Sequence, residues 1–253
     1  MNPWAKKFLR IGHSGAAAYA KPNSLKSIAL ALEMGVDVVE FDVLPCRDSL
    51  ILGHDNLLHL NGKRIKISEY TYTDLCALEG EDGDFIPTFS DAIDLIRGHA
   101  LMNVDLKERG YEAAVVDVLR DKKVLGNAMF STTHATSLVQ IRKLVPDAMT
   151  SISYPRDRGN AARRPRLKHV VLTALRAMKR TLPYRINRIM KRAHANMTTL
   201  NFHVISHATV ERVHQNGGKV IAWTVDDLPT MRRLKAMGVD GITSNKPDLF
   251  EQL

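Results

Sequence analysis

Acidic side chains interrupt an apolar stretch between residues 36 and 55. Glu40 and Asp42 lie within a run of β-branched and aromatic residues that predicts a buried strand from Asp37 to Val43. Because residues two apart on a strand share a face, both carboxylates point to the same side. Burying two adjacent like charges without a partner is costly, so we expect a cation beside them.

Two histidines follow short apolar runs that also predict strands. His13 comes directly after Phe8 to Gly12, and His54 comes two residues after Leu50 to Leu52. A single histidine is most often a structural or surface residue. A pair beside carboxylates could serve as acid and base near neutral pH.

A third strand carries a similar polar face. In the predicted strand from Leu101 to Lys107, Asp105 and Lys107 lie on one side, and apolar residues lie on the other. Glu40, Asp42 and Asp105 would together form a hard oxygen site suited to Mg²⁺ or Ca²⁺. Lys107 could then hold a phosphate oxygen.

The order of the predicted elements indicates how these side chains are positioned. Strand and helix signals alternate roughly eight times over residues 1–253, which implies parallel strands joined by helical crossovers. We therefore expect an α/β protein with a single (β/α)₈ TIM barrel, in which functional side chains gather at the C-terminal strand ends. A doubly wound open sheet is the alternative, although no G-x-G-x-x-G follows the first strand.

The composition is that of an ordinary globular protein, with 45% hydrophobic residues among 253. No uninterrupted apolar run is long enough for a transmembrane helix, and the first residues lack the apolar region of a signal peptide. Cys46 and Cys76 have no metal-ligand spacing, so we expect reduced thiols and a cytoplasmic protein, with peripheral membrane contact as a further option.

The formal net charge of +9 belongs to one segment. Residues 156–192 contain 13 Lys or Arg and one acid, whereas the rest of the chain has 23 bases and 26 acids. Apolar residues between Leu167 and Leu182 follow helical spacing and predict an amphipathic helix. Pro183 is expected to open a second amphipathic stretch, from Tyr184 to Ala195.

Two interpretations of this segment, an insertion at about 155–195 after roughly the fifth strand, remain open, and a third is disfavoured. It could be one crossover helix with a solvated arm. It could be a surface for anionic membranes, since apolar stripes backed by Lys and Arg suit such lipids. Nucleic-acid binding is not expected, because no aromatic residues are interleaved for base stacking.

Several segments resemble a known family over most of the chain. They read G-H-S-G-A, Y-A-K-P-N-S, V-E-F-D-V, L-G-H-D, N-V-D-L-K, V-I-A-W-T-V-D-D and V-D-G-I-T-S-N-K-P-D-L. In this order they resemble the glycerophosphodiester phosphodiesterase family. The resemblance implies a TIM barrel that cleaves phosphodiesters with one divalent cation, Mg²⁺ or Ca²⁺.

The resemblance also implies roles for individual residues. Glu40, Asp42 and Asp105 match the metal ligands, and His13 and His54 match the two catalytic histidines. Most members carry Glu at the third ligand position, whereas the related sphingomyelinase D branch carries Asp there.

Two further residues match positions that contact substrate, and two positions depart from the family pattern. Lys107 matches the lysine beside the phosphate, and Trp223 matches a tryptophan that lines the substrate pocket. Ser14 replaces the Arg of the usual H-R-G, which should weaken phosphate binding. The usual P-E-N-T reads Lys21-Pro22-Asn23-Ser24, so its Glu is absent.

The predicted function is metal-dependent cleavage of glycerophosphodiesters or lysophospholipids. The products would be glycerol phosphate, or lysophosphatidate or its cyclic form, together with an alcohol. Whether water or a substrate hydroxyl attacks, and which histidine is the base, stays open from the sequence. The alternative is a catalytically weak protein that binds phosphate or lipid at a membrane surface.

Overall fold

The computed structural model describes residues 3–60, 63–78, 86–155 and 168–253. The strands are β1 Leu9–Gly12, β2 Val38–Pro45, β3 Leu50–Leu52, β4 Leu57–Leu60, β5 Lys63–Lys66, β6 Leu101–Leu106, β7 Ala128–Thr132, β8 Met149–Tyr154, β9 Met197–Asn201, β10 Lys219–Trp223 and β11 Gly241–Ser244. The helices are α1 Leu25–Glu33, α2 Tyr72–Leu78, α3 Phe89–Ile96, α4 Glu112–Asp121, α5 Ala135–Leu144, α6 Lys168–Ala193, α7 His207–His214 and α8 Leu228–Ala236.

Eight parallel strands close into a barrel in the order β1, β2, β6, β7, β8, β9, β10 and β11, and β11 pairs with β1. Helices lie between successive barrel strands. The predicted TIM barrel is therefore confirmed, and the open-sheet alternative is wrong because the first and last strands pair. Outside the barrel, β3 pairs antiparallel with β2, and β4 pairs antiparallel with β5 in the stretch after His54.

Apolar side chains form separate cores inside and outside the barrel. The interior core fills the N-terminal half of the barrel and includes Leu9, Ile11, Val38, Met129, Met197 and Ile221. Trp4, which precedes β1, packs against the same core. The larger core lies between the strands and the surrounding helices. Because inward-facing residues alternate along each strand, the polar members of β2 and β6 take the interior positions above this apolar layer.

The basic segment forms one helix, not two. α6 runs unbroken from Lys168 to Ala193 with Pro183 inside it, so the expected second stretch opened by Pro183 is wrong. Proline removes one backbone donor, but buried Leu182 and Ile186 anchor the helix on both sides of it. The Thr181 hydroxyl also donates to the carbonyls of Ala177 and Met178 at 3.3 Å.

The position of α6, after the fifth barrel strand, is as expected. Residues 156–167 of the predicted insertion lie outside the described residues. Val170, one of the apolar residues between Leu167 and Leu182, is 66% exposed. Within the described ranges, none of the helices has the length and apolar character needed to span a bilayer.

Candidate active site

Strand register brings the three predicted metal ligands together. Asp42 on β2 is the direct neighbour of Asp105 on β6, which in turn neighbours Ser131 on β7. Glu40 lies two residues before Asp42 and faces the same interior. One carboxylate oxygen from each of the three acids lies within 4.8 Å of the others, at the C-terminal end of the barrel.

Hydrogen bonds fix each carboxylate of this acidic cluster, Glu40, Asp42 and Asp105. Asn23 holds Asp42 at two points, donating Nδ2–H to Oδ2 at 2.8 Å and accepting the backbone N–H on Oδ1 at 3.0 Å. The Ser14 backbone N–H donates to Glu40 Oε2 at 2.8 Å. Ser131 Oγ donates to Asp105 Oδ1 at 2.6 Å.

Lys107 supplies the cation that two buried acids require. Its Nζ lies 2.6 Å from Asp42 Oδ1 and 2.6 Å from Asp105 Oδ2. Burial alone would raise the pKa of Asp42, but Lys107 and the nearby histidines bring it down to about 2. Burial alone would lower the pKa of Lys107, yet Asp105, Asp42 and Glu40 raise it well above its usual value.

The positive charge of Lys107 offsets the charge of Glu40 less than that of Asp42 and Asp105. Burial, followed by the charge of Asp42, raises the pKa of Glu40 well above its usual value. One lysine thus faces three carboxylates, two of them buried. A set of carboxylate oxygens with uncompensated negative charge fits a hard divalent cation, so the residues present fit the predicted ion.

His13 is held in one orientation by a short chain of hydrogen bonds. Asp226 can only accept, so Asn245 donates Nδ2–H to it at 2.7 Å and turns Oδ1 toward His13. That amide oxygen accepts from Nδ1 of the ring at 2.7 Å. The neutral ring therefore carries its proton on Nδ1 and presents the lone pair of Nε2, which lies 4.0 Å from Glu40 Oε2.

His54 lies at the outer edge of the same site. The backbone N–H of Gly53 donates to the carbonyl of Asp42 at 3.0 Å, which ties the preceding residue to β2. Nδ1 of His54 donates to the Asp55 carboxylate at 2.8 Å, leaving Nε2 for other partners. The His54 charge also lowers the pKa of Asp42. Its side chain is 44% exposed, so solvent and substrate can reach the ring.

The turn that presents His13 and Ser14 requires glycine at both ends. A Cβ on Gly12 would lie 2.6 Å from the Gly15 carbonyl oxygen, and a Cβ on Gly15 would lie 2.4 Å from the Ser27 backbone. Gly15 also has a φ of +84°, and Ser14 has a φ of 45°. This tight turn places the Ser14 backbone N–H, rather than a long side chain, against Glu40.

Trp223 lies at the C-terminal end of β10, on the rim that carries the acidic cluster. Its Nε1 donates to the Thr199 carbonyl at 3.2 Å, which fixes the ring over β9. Its Cα pairs with that of Asn201 in the strand register.

Four residues of the site were not given roles by the sequence analysis: Asn23, Ser131, Asp226 and Asn245. Asn23, Asp226 and Asn245 stand in segments that carry the family resemblance, K-P-N-S, T-V-D-D and S-N-K-P-D. That was the only available signal, because spacing cannot show a hydrogen bond between residues 13 and 245. Ser131 had no signal beyond its place at a predicted strand end.

Comparison with known proteins points to one family. The model of the Glycerophosphoryl diester phosphodiesterase family matches residues 13–249. The glycerophosphodiester phosphodiesterase of Caldanaerobacter subterraneus is 24% identical over 98% of both chains. A solved glycerophosphodiester phosphodiesterase from Parabacteroides distasonis superposes with a TM-score of 0.75 at 22% identity, covering 98% of this chain and 96% of that one. An Oleispira antarctica phosphodiesterase, solved with the product sn-glycerol-3-phosphate, gives 0.73 at 22% identity, covering 96% and 94%.

Proposed function

Because this chain belongs to the glycerophosphoryl diester phosphodiesterase family of phosphoric diester hydrolases, we propose that it cleaves glycerophosphodiesters to glycerol phosphate and an alcohol. One observation carries the proposal: the acidic cluster, a lysine and two oriented histidines lie around the C-terminal end of one barrel. The product found in the Oleispira antarctica relative has the chemistry expected for one half of such a substrate.

Glu40, Asp42 and Asp105 are the residues that would hold one divalent cation, Mg²⁺ or Ca²⁺. Their converging oxygens and uncompensated charge support this role. When bound, the ion supplies positive charge against a phosphoryl oxygen and makes phosphorus more susceptible to attack.

The histidines divide the proton transfers. His13 presents the Nε2 lone pair, so it takes the proton from the attacking hydroxyl as the new oxygen–phosphorus bond forms. The Asp55 carboxylate accepts from Nδ1 of His54 and orients the ring, so that Nε2 gives a proton to the leaving alcohol as that ester bond breaks. The attacking group is water, or a neighbouring hydroxyl of the substrate, which would give a cyclic phosphate.

Two other residues act on the substrate in this mechanism. Lys107 is within reach of the same oxygens as the cation and stabilises the extra negative charge of the transition state. Trp223 lines the pocket with an apolar face. Its hydrogen bond to the Thr199 carbonyl supports this role by holding the indole on the rim.

The proposed substrates include lysophospholipids, and with them peripheral contact between residues 156–192 and anionic membranes. The basic charge of this segment supports that contact. Free thiols at Cys46 and Cys76 are compatible with a reducing compartment, and we propose the cytoplasm. We also propose that residues 1–253 act as one catalytic unit.

A substrate panel tests the function directly. We expect release of choline or ethanolamine from soluble glycerophosphodiesters, loss of turnover in EDTA, and recovery with Mg²⁺ or Ca²⁺. Lysophosphatidylcholine in the same panel reports on lipid substrates, and ³¹P NMR separates a cyclic product from a hydrolysed one. Calorimetric titration with each ion should show affinity at least about tenfold weaker for Asp105→Asn than for the wild type.

Histidine variants provide the matched control. His13→Ala and His54→Ala should each lose at least about 100-fold in kcat, whereas His99→Ala should keep full turnover. His99 is exposed and precedes β6, at the end of the barrel opposite the site. Full activity of His54→Ala would remove this residue from the mechanism.

A second function is favoured by Ser14, which stands where the family's phosphate-binding Arg is expected. The chain would then bind phosphate or lipid with little catalysis. Binding of a glycerophosphodiester without turnover under every metal condition would support this second function over the first.

A further inference from the structure

Helix α6 is much longer than the helices beside it. It has 26 residues, whereas α5 has 10 and α7 has 8. At 1.5 Å per residue, α6 is about 39 Å long, against about 15 Å for α5. Because α6 connects the C-terminal end of β8 to the N-terminal end of β9, its first turns lie on the side of the barrel that carries the active site.

Packing shows where α6 leaves the barrel. Leu182, Ile186, Met190 and Ala193 are buried, so the C-terminal half forms the crossover against the sheet. Lys179 lies near His203 in the turn after β9, where burial and the charges of Arg233 and Lys179 lower the pKa of His203. Leu175 and Met178 still pack against the larger core, so the core contacts of α6 begin at about Leu175. Residues 168–174 precede these contacts and make about 10 Å of helix.

The outward face of α6 combines positive charge with exposed apolar groups. The helix contains eight Lys or Arg and no acid. Arg180, Arg188 and Lys191 are exposed on the side opposite buried Ile186. The side chains of Tyr184 and Val170 are 83% and 66% exposed, and both fall within this face by helical spacing. We call this surface, with Arg180, Arg188, Lys191, Val170 and Tyr184, the outward face of α6.

We propose that the outward face of α6 docks the flank of the barrel on an anionic phospholipid surface, with the first turns of the helix on the side of the active site. This inference rests on the proposed function, and it names the membrane as the source of a lipid substrate. Arg and Lys side chains interact with the phosphates, while Tyr184 and Val170 enter the interface between headgroups and acyl chains. Val170, in the first turns of α6, places one end of this contact on the side of the acidic cluster.

Lipid fits this surface better than nucleic acid. An amphiphilic tyrosine and a valine gain free energy by entering a bilayer interface, whereas a polyanionic strand would leave the valine in water. Binding of single-stranded nucleic acid also depends on aromatic residues that stack on successive bases. Tyr184 is the single aromatic side chain of α6.

Vesicle sedimentation without substrate tests the docking. The wild-type chain should bind vesicles of phosphatidylcholine with phosphatidylglycerol, and 0.5 M salt should weaken this binding. It should not bind vesicles of phosphatidylcholine alone. Arg180→Glu/Arg188→Glu should bind anionic vesicles at least about 30-fold more weakly than the wild type, as expected from the loss of two cations at the surface. Tyr184→Ala should weaken binding at high salt more than at low salt.

A control variant with the same change in net charge separates the effect of α6 from the effect of overall charge. Lys7→Glu/Lys26→Glu changes the net charge by the same amount at exposed positions, and Lys26 lies on α1, four units around the barrel from α6. This variant should bind within about threefold of the wild type. Equal loss in both double variants, or binding of the wild type to neutral vesicles, would overturn the proposal.

Two further measurements separate the outcomes. Turnover of soluble glycerophosphocholine should be the same in both double variants and the wild type, because neither variant touches the site. If no form turns over any diester while vesicle binding follows the pattern above, the proposed function fails and the docking surface stands. If Arg180→Glu/Arg188→Glu loses oligonucleotide binding and keeps vesicle binding, the surface belongs to nucleic acid.

Discussion

Lys107 contacts the same two carboxylates that are proposed to bind a divalent ion. It lies 2.6 Å from oxygens of Asp42 and Asp105, and Asp42 is almost fully buried. The lysine thus lowers the electrostatic cost of burying these acids when no ion is bound, and it lies beside the position proposed for the phosphate. A bound ion and the lysine would therefore stabilise the folded state through overlapping interactions.

Replacing Lys107 with Met should therefore make folding depend more strongly on metal. Two acids lose their cation, so addition of Mg²⁺ or Ca²⁺ should raise the Tm of Lys107→Met by about 3 °C or more beyond the rise in the wild type. Loss of transition-state stabilisation should also lower kcat by about 100-fold or more. Differential scanning fluorimetry with EDTA and with each ion measures the first effect. An equal rise in both proteins would show that Lys107 does not neutralise the cluster.

Asn245 contacts His13, and we expect it to act through that ring. Asn245→Ala removes the acceptor of Nδ1–H, so the ring can rotate and change tautomer, and kcat should fall by about tenfold to 100-fold with little change in KM. The matched control is Asn216→Ala, which loses an exposed amide that donates to the Arg212 carbonyl. Steady-state kinetics of both variants on a soluble diester measure the difference. Equal kcat values for the two variants would contradict a positioning role.

The sequence could predict the acids of the site, but not the side chains that hydrogen-bond to them. Glu40 and Asp42 are recognisable because a charge two residues from another charge in an apolar strand is unusual and needs a compensating cation. Asp105 follows from the same argument on another strand. The hydrogen bonds that fix Asp42 and His13 come from loops distant in sequence, and their geometry depends on turns that periodicity does not predict.

At the scale of elements, the turn from Gly12 to Gly15 determines where His13 lies. Gly15→Ala adds a methyl group 2.4 Å from the Ser27 backbone at a φ of +84°, so we expect a loss of at least about 3 kcal/mol in the free energy of unfolding and a large loss of activity. Gly98→Ala is the matched control, because its φ is +85° and no atom lies within 4 Å of the added Cβ. That variant should lose only about 1 kcal/mol. Urea denaturation of both variants checks the contrast, and equal losses would show that backbone strain alone matters.

The helices and strands themselves were largely predictable. The continuation of α6 through Pro183 was not. A strand is indicated by β-branched runs and a helix by its 3.6-residue spacing, and both signals are local. The effect of Pro183 is not local. Proline usually ends a helix, but burial of Leu182 and Ile186 against the barrel offsets the lost hydrogen bond. Tertiary packing, which the sequence pattern does not contain, decides the outcome.

At the scale of the whole molecule, one of the two shortest ladders of the barrel joins β1 to β2. This ladder has two register pairs, whereas β1 pairs with β11 over four. Asp37, directly before β2, adds hydrogen bonds to this connection between the two strands. Its carboxylate accepts hydrogen bonds from the backbone N–H and the guanidinium of Arg10 and from Lys6, and its own N–H donates to the Arg10 carbonyl. The Asp37 side chain is 11% exposed, so its carboxylate is largely shielded from solvent, whereas Lys6 is 52% exposed.

Asp37→Asn should therefore destabilise the closed barrel in a manner that depends on pH. Burial alone would raise the pKa of Asp37, but the hydrogen bonds from Arg10 and Lys6 lower it below its usual value. A lowered folded-state pKa means that the unfolded chain binds the proton more readily. The stabilisation is thus complete above the unfolded pKa of about 3.9 and is lost as the pH falls through the folded value. At pH 7 we expect Asp37→Asn to be about 2 kcal/mol less stable than the wild type.

Denaturation of both proteins at several values between pH 7 and pH 2.5 measures this difference, in which the titration of all other groups largely cancels. The gap should stay constant down to about pH 5 and should shrink steadily below about pH 4. Asp117→Asn is the control, since that carboxylate is 62% exposed in an i,i+3 pair with Arg120 and should contribute less than about 0.5 kcal/mol. A gap that persists at pH 2.5 would show that Asp37 acts through its shape rather than its charge. The connection between β1 and β2 would then depend on packing and the backbone ladder alone.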